Sequence, residues 1–409
     1  MNTTKLFQLA LGLARPWYVN DIQFGTTDKG DGQLDIFLSF KRGSKFLDES
    51  GHECPVHDTV EREWQHLSFF QHKCFLHARV PRIKTSNGEI KRVEVPWARA
   101  GSGFTLLFEA FAMSLIENEM PVNKAAAMLS VYPHRLWTVF NYWVRQALAK
   151  DDQSNLQDVG IDETSVRKGH RYVTLAADLQ ERRVVFVTKG KDEKTIEAFK
   201  EHLEKKQVNP KQIKNISIDM SPAFITGIMK NFPDSAIVFD RFHIVKLLNE
   251  AMDEVRKAER REHNALKGHK YTFLKKNKNL TEQQRIAKYE LIEDYPILGE
   301  AYRLKELFDD FWDLKDPEEA TAFLAYWCDL VEEANLRPFR KFAYTIKAHW
   351  TGILNYINTR ISNGILEGIN TKIQLAKRRA RGFQNLDNFI AMIYLIAGKL
   401  DFDYPLHST

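Results

Sequence analysis

Cysteine is scarce: Cys54, Cys74 and Cys328 are the only three in the chain. Three thiols exclude a disulfide-built scaffold and fit a reducing, cytoplasmic compartment. No apolar run reaches the ~18 residues of a membrane span. Glycine and proline form no low-complexity tract, and no internal repeat is visible. Acid is also locally scarce. Between Glu333 and Asp387 there is a single carboxylate, Glu367.

What is present fits a soluble globular protein. Of 409 residues, 44% are hydrophobic and 28% charged, enough for a large core and two to four domains. The net charge of +5 is too small to establish a polyanionic partner by itself. Its distribution says more. Nine Lys/Arg face two Glu between Arg256 and Lys278, and six face Glu367 alone between Thr351 and Phe383. Local fields of that sign suit a phosphate backbone.

The first residues read as a short helix leading into strands. WYVNDIQFG and QLDIFLSF flank the turn TTDKGDG, and EWQHLSFF, KCFLHARVPRI and KRVEVPW follow. Residues 1–100 are thus a small β-rich module. From Gly101 the period becomes helical. PVNKAAAMLS, a break at VYP and HRLWTVFNYWVRQAL have the pattern of a helix-turn-helix over about 121–148, inside a region 101–150. Arg135, near the start of its second helix, is the candidate DNA contact there.

From Val159 the order is βββ-α-β-α-β-α. This is the order of a ribonuclease-H-like α/β core with a mixed sheet and helices on both faces. The first part of that core is 151–260. A strand-free, helical insertion covers 261–350, and 351–409 returns to the core with the Glu367 helix.

Asp162 after VGI and Asp219 after ISI are expected at strand ends, where open α/β sheets place their sites. The first and fourth strands of this fold are neighbours, so the two carboxylates come close. Unpaired, they repel. Magnesium or manganese removes that cost, and a third acid, Glu367, would complete a two-ion site. Glu163, one residue on, points to the other face by alternation. Glu367, Asn370, Thr371, Gln374 and Arg378 share one helix face at 3/4 spacing. With Lys377, Arg379 and Arg381 they form a candidate DNA-gripping surface in which Asn370 and Gln374 also donate to phosphate. Asp240 and His243 read either as a helix cap with a nearby histidine or as an auxiliary pair for proton transfer or phosphate contact.

Several stretches resemble one family. IDETS, SIDMSPAF, FDRFHIVKLLNEAMDEVRKAE and SNGILEGINTKIQLAKRRARGF are similar to the DDE transposases of bacterial insertion sequences, in particular the ISL-three family. The likeness extends upstream through FFQHKCFLHARVPRI and VPWARAGSGFTLLFEA. It implies that Asp162, Asp219 and Glu367 bind the metal ions. It also matches Asp240 and His243 to an Asp-x-x-His signature of related enzymes. The implied activity is cleavage of double-stranded DNA at terminal inverted repeats by water, then attack of the freed 3′-hydroxyl on target DNA. A homodimer is implied, because two ends must be paired in a synaptic complex. Relatives usually carry an N-terminal zinc module. Here Cys54 and His57 form one candidate zinc pair, but residues 84–88 hold no second pair. His66, His72, Cys74 and His77 fall in the wrong order. A zinc-ribbon-like module that has lost its metal is the expectation. Two other functions fit the same residues: a hydrolysis-only nuclease of the resolvase kind, and a catalytically silent DNA-binding protein.

Overall fold

The computed structural model describes residues 3–26, 30–167, 169 and 171–404. The chain divides into two compact units. One runs from the N-terminus to Ala149 and includes the segment from Asp401; the other is Lys150–Leu400. No described helix is long and apolar enough to cross a membrane.

The first unit begins with α1 (Thr3–Ala10) and continues through β1 (Trp17–Thr26), β2 (Gly32–Phe40), β3 (Lys45–Leu47), β4 (Glu53–Phe69), β5 (His72–Lys84) and β6 (Ile90–Arg92). The strands form one sheet in the order β1-β2-β5-β4-β3, with β6 on β5. Part of the expected turn TTDKGDG, residues 27–29, lies outside the described residues. Alternation explains the core. Leu34, Ile36 and Leu38 of β2 and Cys74, Leu76, Ala78 and Val80 of β5 are all buried. Trp17 and Trp64 meet Trp97 edge-on at 4.9 and 5.6 Å. The strand expected at KRVEVPW is shorter, ending at Arg92. Beyond it the Val93 N–H still bonds the Pro81 carbonyl, and Val95 forms an isolated bridge with Ala98.

Three helices follow: α2 (Leu106–Glu117), α3 (Val122–Met128) and α4 (Pro133–Lys150). Thr105 caps α2, its hydroxyl accepting the Phe108 N–H. The buried Glu109 accepts from Arg99, Ser102 and the Trp143 indole. Ala125 and Ala126 are fully buried, so α3 sits close to its neighbours. Left-handed Ser130 turns the chain into α4. The helix–turn–helix read from the sequence is therefore present as α3 and α4.

The second unit opens with β7 (Asp158–Arg167), β8 (Arg171–Asp178) and β9 (Arg183–Lys189), then α5 (Glu193–Lys205), β10 (Asn215–Ile218), α6 (Pro222–Asn231), β11 (Ala236–Phe239) and α7 (Arg241–Glu262). The sheet order is β11-β10-β7-β8-β9. β11, β10 and β7 are parallel, while β8 and β9 are antiparallel. The helical segment comprises α8 (Lys270–Leu274), α9 (Glu282–Asp294), α10 (Pro296–Asp310), α11 (Pro317–Ala334), α12 (Arg337–Ala348) and α13 (Trp350–Thr359). Then come α14 (Gly364–Arg379) and α15 (Leu386–Ala397). Between α7 and α14 no strand forms, as the sequence pattern predicts.

Alternation along β7 divides the second unit. Val159 and Ile161 join the core built with Ile196 and Phe199 of α5 and Phe224 and Ile228 of α6. Truncating one of these to alanine would cost about 2–5 kcal/mol. Gly160, Asp162 and Thr164 face the other way and meet α14. Gly160 makes that meeting possible. A Cβ there would lie 2.9 Å from both Asn363 Oδ1 and a Leu366 methyl. Any larger residue would push α14 off the sheet.

Candidate active site

The centre of the site is a register. In the parallel pair β10–β7, Asn215 lies opposite Asp158, Ile216 opposite Val159 and Ser217 opposite Gly160. Continued by two residues, that register sets Asp219 beside Asp162. β10 stops at Ile218, while β7 runs on to Arg167 paired with β8. Asp162 is thus inside its strand, not at the end expected from VGID. The apolar run breaks there because the neighbour ends. Buried Thr164 and Val166 carry the alternation onward.

Both Asp162 oxygens are held. Oδ1 accepts the Glu163 N–H at 2.7 Å, and Oδ2 accepts the Asn370 side-chain amide at 2.8 Å. Burial pushes the Asp162 carboxyl up to about 6, with the Asp219 charge adding to the rise and His243 opposing it. Asp219 Oδ1 accepts the Ser221 N–H at 3.0 Å in the turn into α6. Glu163 points away and pairs with Lys191 at 3.5 Å.

Asp240 follows β11 and begins α7, yet its carboxylate makes no capping bond. Instead it lies 3.0 Å from His243 Nδ1 and accepts the Asn363 backbone N–H at 3.4 Å. The Asp240 hydrogen bond, and then the charges of Asp240, Asp219 and Asp162, raise the His243 pKa. A proton on Nδ1, bound to Asp240, leaves Nε2 as the free ring atom. So Asp162, Asp219, Asp240 and His243 share one electrostatic neighbourhood.

Glu367 is exposed in the first turn of α14. It lies one turn before Asn370 on the same stripe and does not enter the carboxylate cluster. Among the described residues no three His, Cys, Asp or Glu side chains are gathered around a common metal position. The rest of the expected DNA-gripping face is partly turned inward. Asn370 bonds Asp162, Gln374 Nε2 donates to Thr164 Oγ1 at 2.9 Å, and Lys377 Nζ donates to the Ser165 carbonyl at 2.8 Å. Three turns of α14 are thus zipped to β7. Arg378, Arg379 and Arg381 stay exposed, Arg381 with a left-handed backbone at the helix end. Arg135, the candidate contact in α4, is half-buried. Its guanidinium stacks 4.3 Å above the Phe104 ring, so the outward residues around the start of α4 are Tyr132, His134 and Thr138.

The sequence reading missed Asn363, whose N–H meets Asp240 and whose side chain reaches the Ser217 carbonyl at 3.4 Å. Its position immediately before a helix that starts at a bare glycine was the available signal.

The candidate zinc pair does not converge. CPVH lies within the single strand β4, where a bulge at His57 breaks the register. Cys54 is buried and His57 exposed. Cys54 Sγ sits near the His52 carbonyl, and burial, with the Asp48 charge, pushes its thiol pKa up. Burial pushes Cys74 up to about 12. His66 is bound to Thr105 and His77 to Asp35.

A family model described as a transposase, of the ISL3 group, matches residues 159–393. The chain belongs to this transposase family. A second model, the helix-turn-helix domain of transposase family ISL3, matches residues 93–144 and so covers α2, α3 and most of α4. The transposase is 27% identical to the transposase for insertion sequence element IS1557 of Mycobacterium tuberculosis, over 97% of this chain and 96% of that one. It is 26% identical to the transposase for insertion sequence element IS1001 of Bordetella parapertussis, over 88% and 90% of the two chains. The first match begins at β7 and ends in α15, so it takes in Asp162, Asp219, Asp240, His243 and Glu367 together.

Proposed function

We propose that this transposase cuts DNA at the ends of its insertion sequence and joins them to a target, with Asp162, Asp219 and Glu367 as catalytic acids. One observation carries the reading: Asp162 and Asp219 meet in register at the end of the parallel pair, under the helix that bears Glu367. The sheet order β11-β10-β7-β8-β9 fits a ribonuclease-H-like core. In this reading 1–100 and 101–150 recognise DNA, 151–260 and 351–409 form the catalytic core, and 261–350 is an insertion.

The donors fit magnesium or manganese. Two aspartates side by side offer hard oxygens, and the buried Asn370 Oδ1 beside them has no hydrogen-bond partner. Asp162, Asp219 and Glu367 would hold the ions, which supply neutralisation of charge on the phosphate under attack. Glu367, exposed one turn before Asn370, would complete the set. Asn370 fixes the orientation of Asp162. Asp240 holds His243 by Nδ1, so that Nε2 is the group that exchanges a proton or hydrogen bond with the reacting phosphate. In cleavage, water attacks phosphorus and the 3′ oxygen leaves with a proton. In joining, the freed 3′-hydroxyl loses its proton as its oxygen attacks a target phosphodiester. Each step breaks one P–O bond and makes one, without a covalent protein–DNA intermediate. Two copies, one per end, form the working assembly.

The test combines purified transposase, magnesium, a labelled fragment with the element's ends and a target plasmid. Joined products that vanish with Asp219→Asn are the expected result. Nicked ends without joining would replace the reading with a hydrolysis-only nuclease. Binding without nicking would replace it with a silent DNA-binding protein.

A further inference from the structure

Charge is segregated among the helices between α7 and α14. α9 and α10 each carry two cations and four acids, and α11 carries five acids and no Lys or Arg. α12, RPFRKFAYTIKA, reverses this with four cations and no acid. Its inner face is apolar: Phe339, Phe342, Ala343 and Ile346 are buried. Its outer face carries Arg337, Arg340, Lys341, Tyr344 and Lys347, all exposed, Tyr344 at 76%. These positions follow 3/4 spacing and make one stripe.

The acids of α11 do not cancel the stripe. Only Glu332 reaches it, 3.0 Å from Arg340 and 3.5 Å from Lys347. Both cations are about half exposed, at 53% and 49%. Exposed pairs of this kind are weak, so a phosphate can displace Glu332. From Arg337 to Lys347 the stripe is about 15 Å long at 1.5 Å per residue. Duplex DNA offers a charge every ~1.7 Å along its axis, so a straight, rigid row of cations matches it over several phosphates. Tyr344, in the middle, adds a hydroxyl that can donate to phosphate.

We infer that the outer face of α12 is a sequence-independent docking surface for the backbone of duplex DNA. The inference rests on the DNA-processing reading above and adds a contact surface remote in sequence from Glu367 and from the helix-turn-helix.

The experiment measures affinity of the full-length transposase for two short labelled duplexes, one with an element end and one unrelated, across a range of salt. Arg337→Glu with Lys341→Glu should weaken binding to both duplexes by about 30-fold at 0.15 M salt and flatten the log–log salt slope by about two. Arg337→Gln with Lys341→Gln should move both quantities in the same direction by less, and Tyr344→Phe should cost a few-fold. The buried face of α12 is untouched, so thermal unfolding should match the parent. Unchanged affinity and slope in both double variants would overturn the inference. So would a loss confined to the element end, or a change in assembly mass with an unchanged slope, which would make the stripe a base reader or a protein contact. Asp219→Asn, measured for cleavage in parallel, separates the two ideas: cleavage by that variant sinks the catalytic reading and leaves the binding result standing.

Discussion

The two sheets of this transposase treat their potential ligands in opposite ways. The N-terminal sheet carries Cys54, His57, His66, His72, Cys74 and His77 on β4 and β5. They are scattered over both faces, some buried in the aromatic core and others bonded to neighbouring carboxylates and hydroxyls. In the second sheet, register and a shortened neighbour strand bring Asp162 and Asp219 together. A helix then presses on them through Asn370. Ligand-type residues do not make a site by number. They make one where the backbone leaves them side by side with no cation between them.

The sharpest way to break the comparison is at the second sheet. Asp162→Asn or Asp219→Asn should cut strand cleavage by about a thousandfold or more, from loss of several kcal/mol of charge stabilisation. Filter binding should show DNA affinity retained. Gly160→Val comes next. It should push α14 from β7, remove most activity and lower stability by about 1–3 kcal/mol, read by thermal melting. Asn370→Ala should cost 10–100-fold in activity and raise the magnesium needed for half-maximal rate, because it frees Asp162 without removing an acid. An Asn370→Ala enzyme with unchanged metal dependence would assign Asn370 to packing alone. The smallest effect belongs to the first sheet. Cys54→Ala with His57→Ala should leave activity and chelator response unchanged and cost at most about 1–2 kcal/mol for the buried thiol. Zinc retained at one ion per chain in the parent, and lost in this variant, would erase the contrast between the sheets.

Much of the second unit was legible from periodicity alone. Strand-period runs and amphipathic helices gave the element order, and β10 pairing with β7 turned that order into a meeting of Asp162 and Asp219. The helix-turn-helix was legible for the same reason: PVNKAAAM and HRLWTVF repeat at helical period. What stayed hidden depends on direction. Arg135 reads as an outward cation, but Phe104, 31 positions earlier, supplies a ring to stack on. Asn370, Gln374 and Lys377 read as a DNA-facing stripe, but Asp162, Thr164 and the Ser165 carbonyl take them. A polar helix face looks the same in sequence whether it meets solvent or a polar strand. The cations of α12 were invisible for another reason. They are spread at helical spacing and form no run, so only the helix gathers them.

The bond between Asn370 and Asp162 joins residues 208 positions apart. A ribosome adding about 5–20 residues per second needs roughly 10–40 s to cover that distance. For that interval the nascent protein holds Asp162, and over its last 151 positions Asp219 as well, but lacks the helix that orients Asp162 and carries Glu367. A chain interrupted anywhere before α14 is equally incomplete. The order of synthesis thus acts as a delay fuse: the Asn370–Asp162 contact closes only after the helix-turn-helix and the intervening helices already exist.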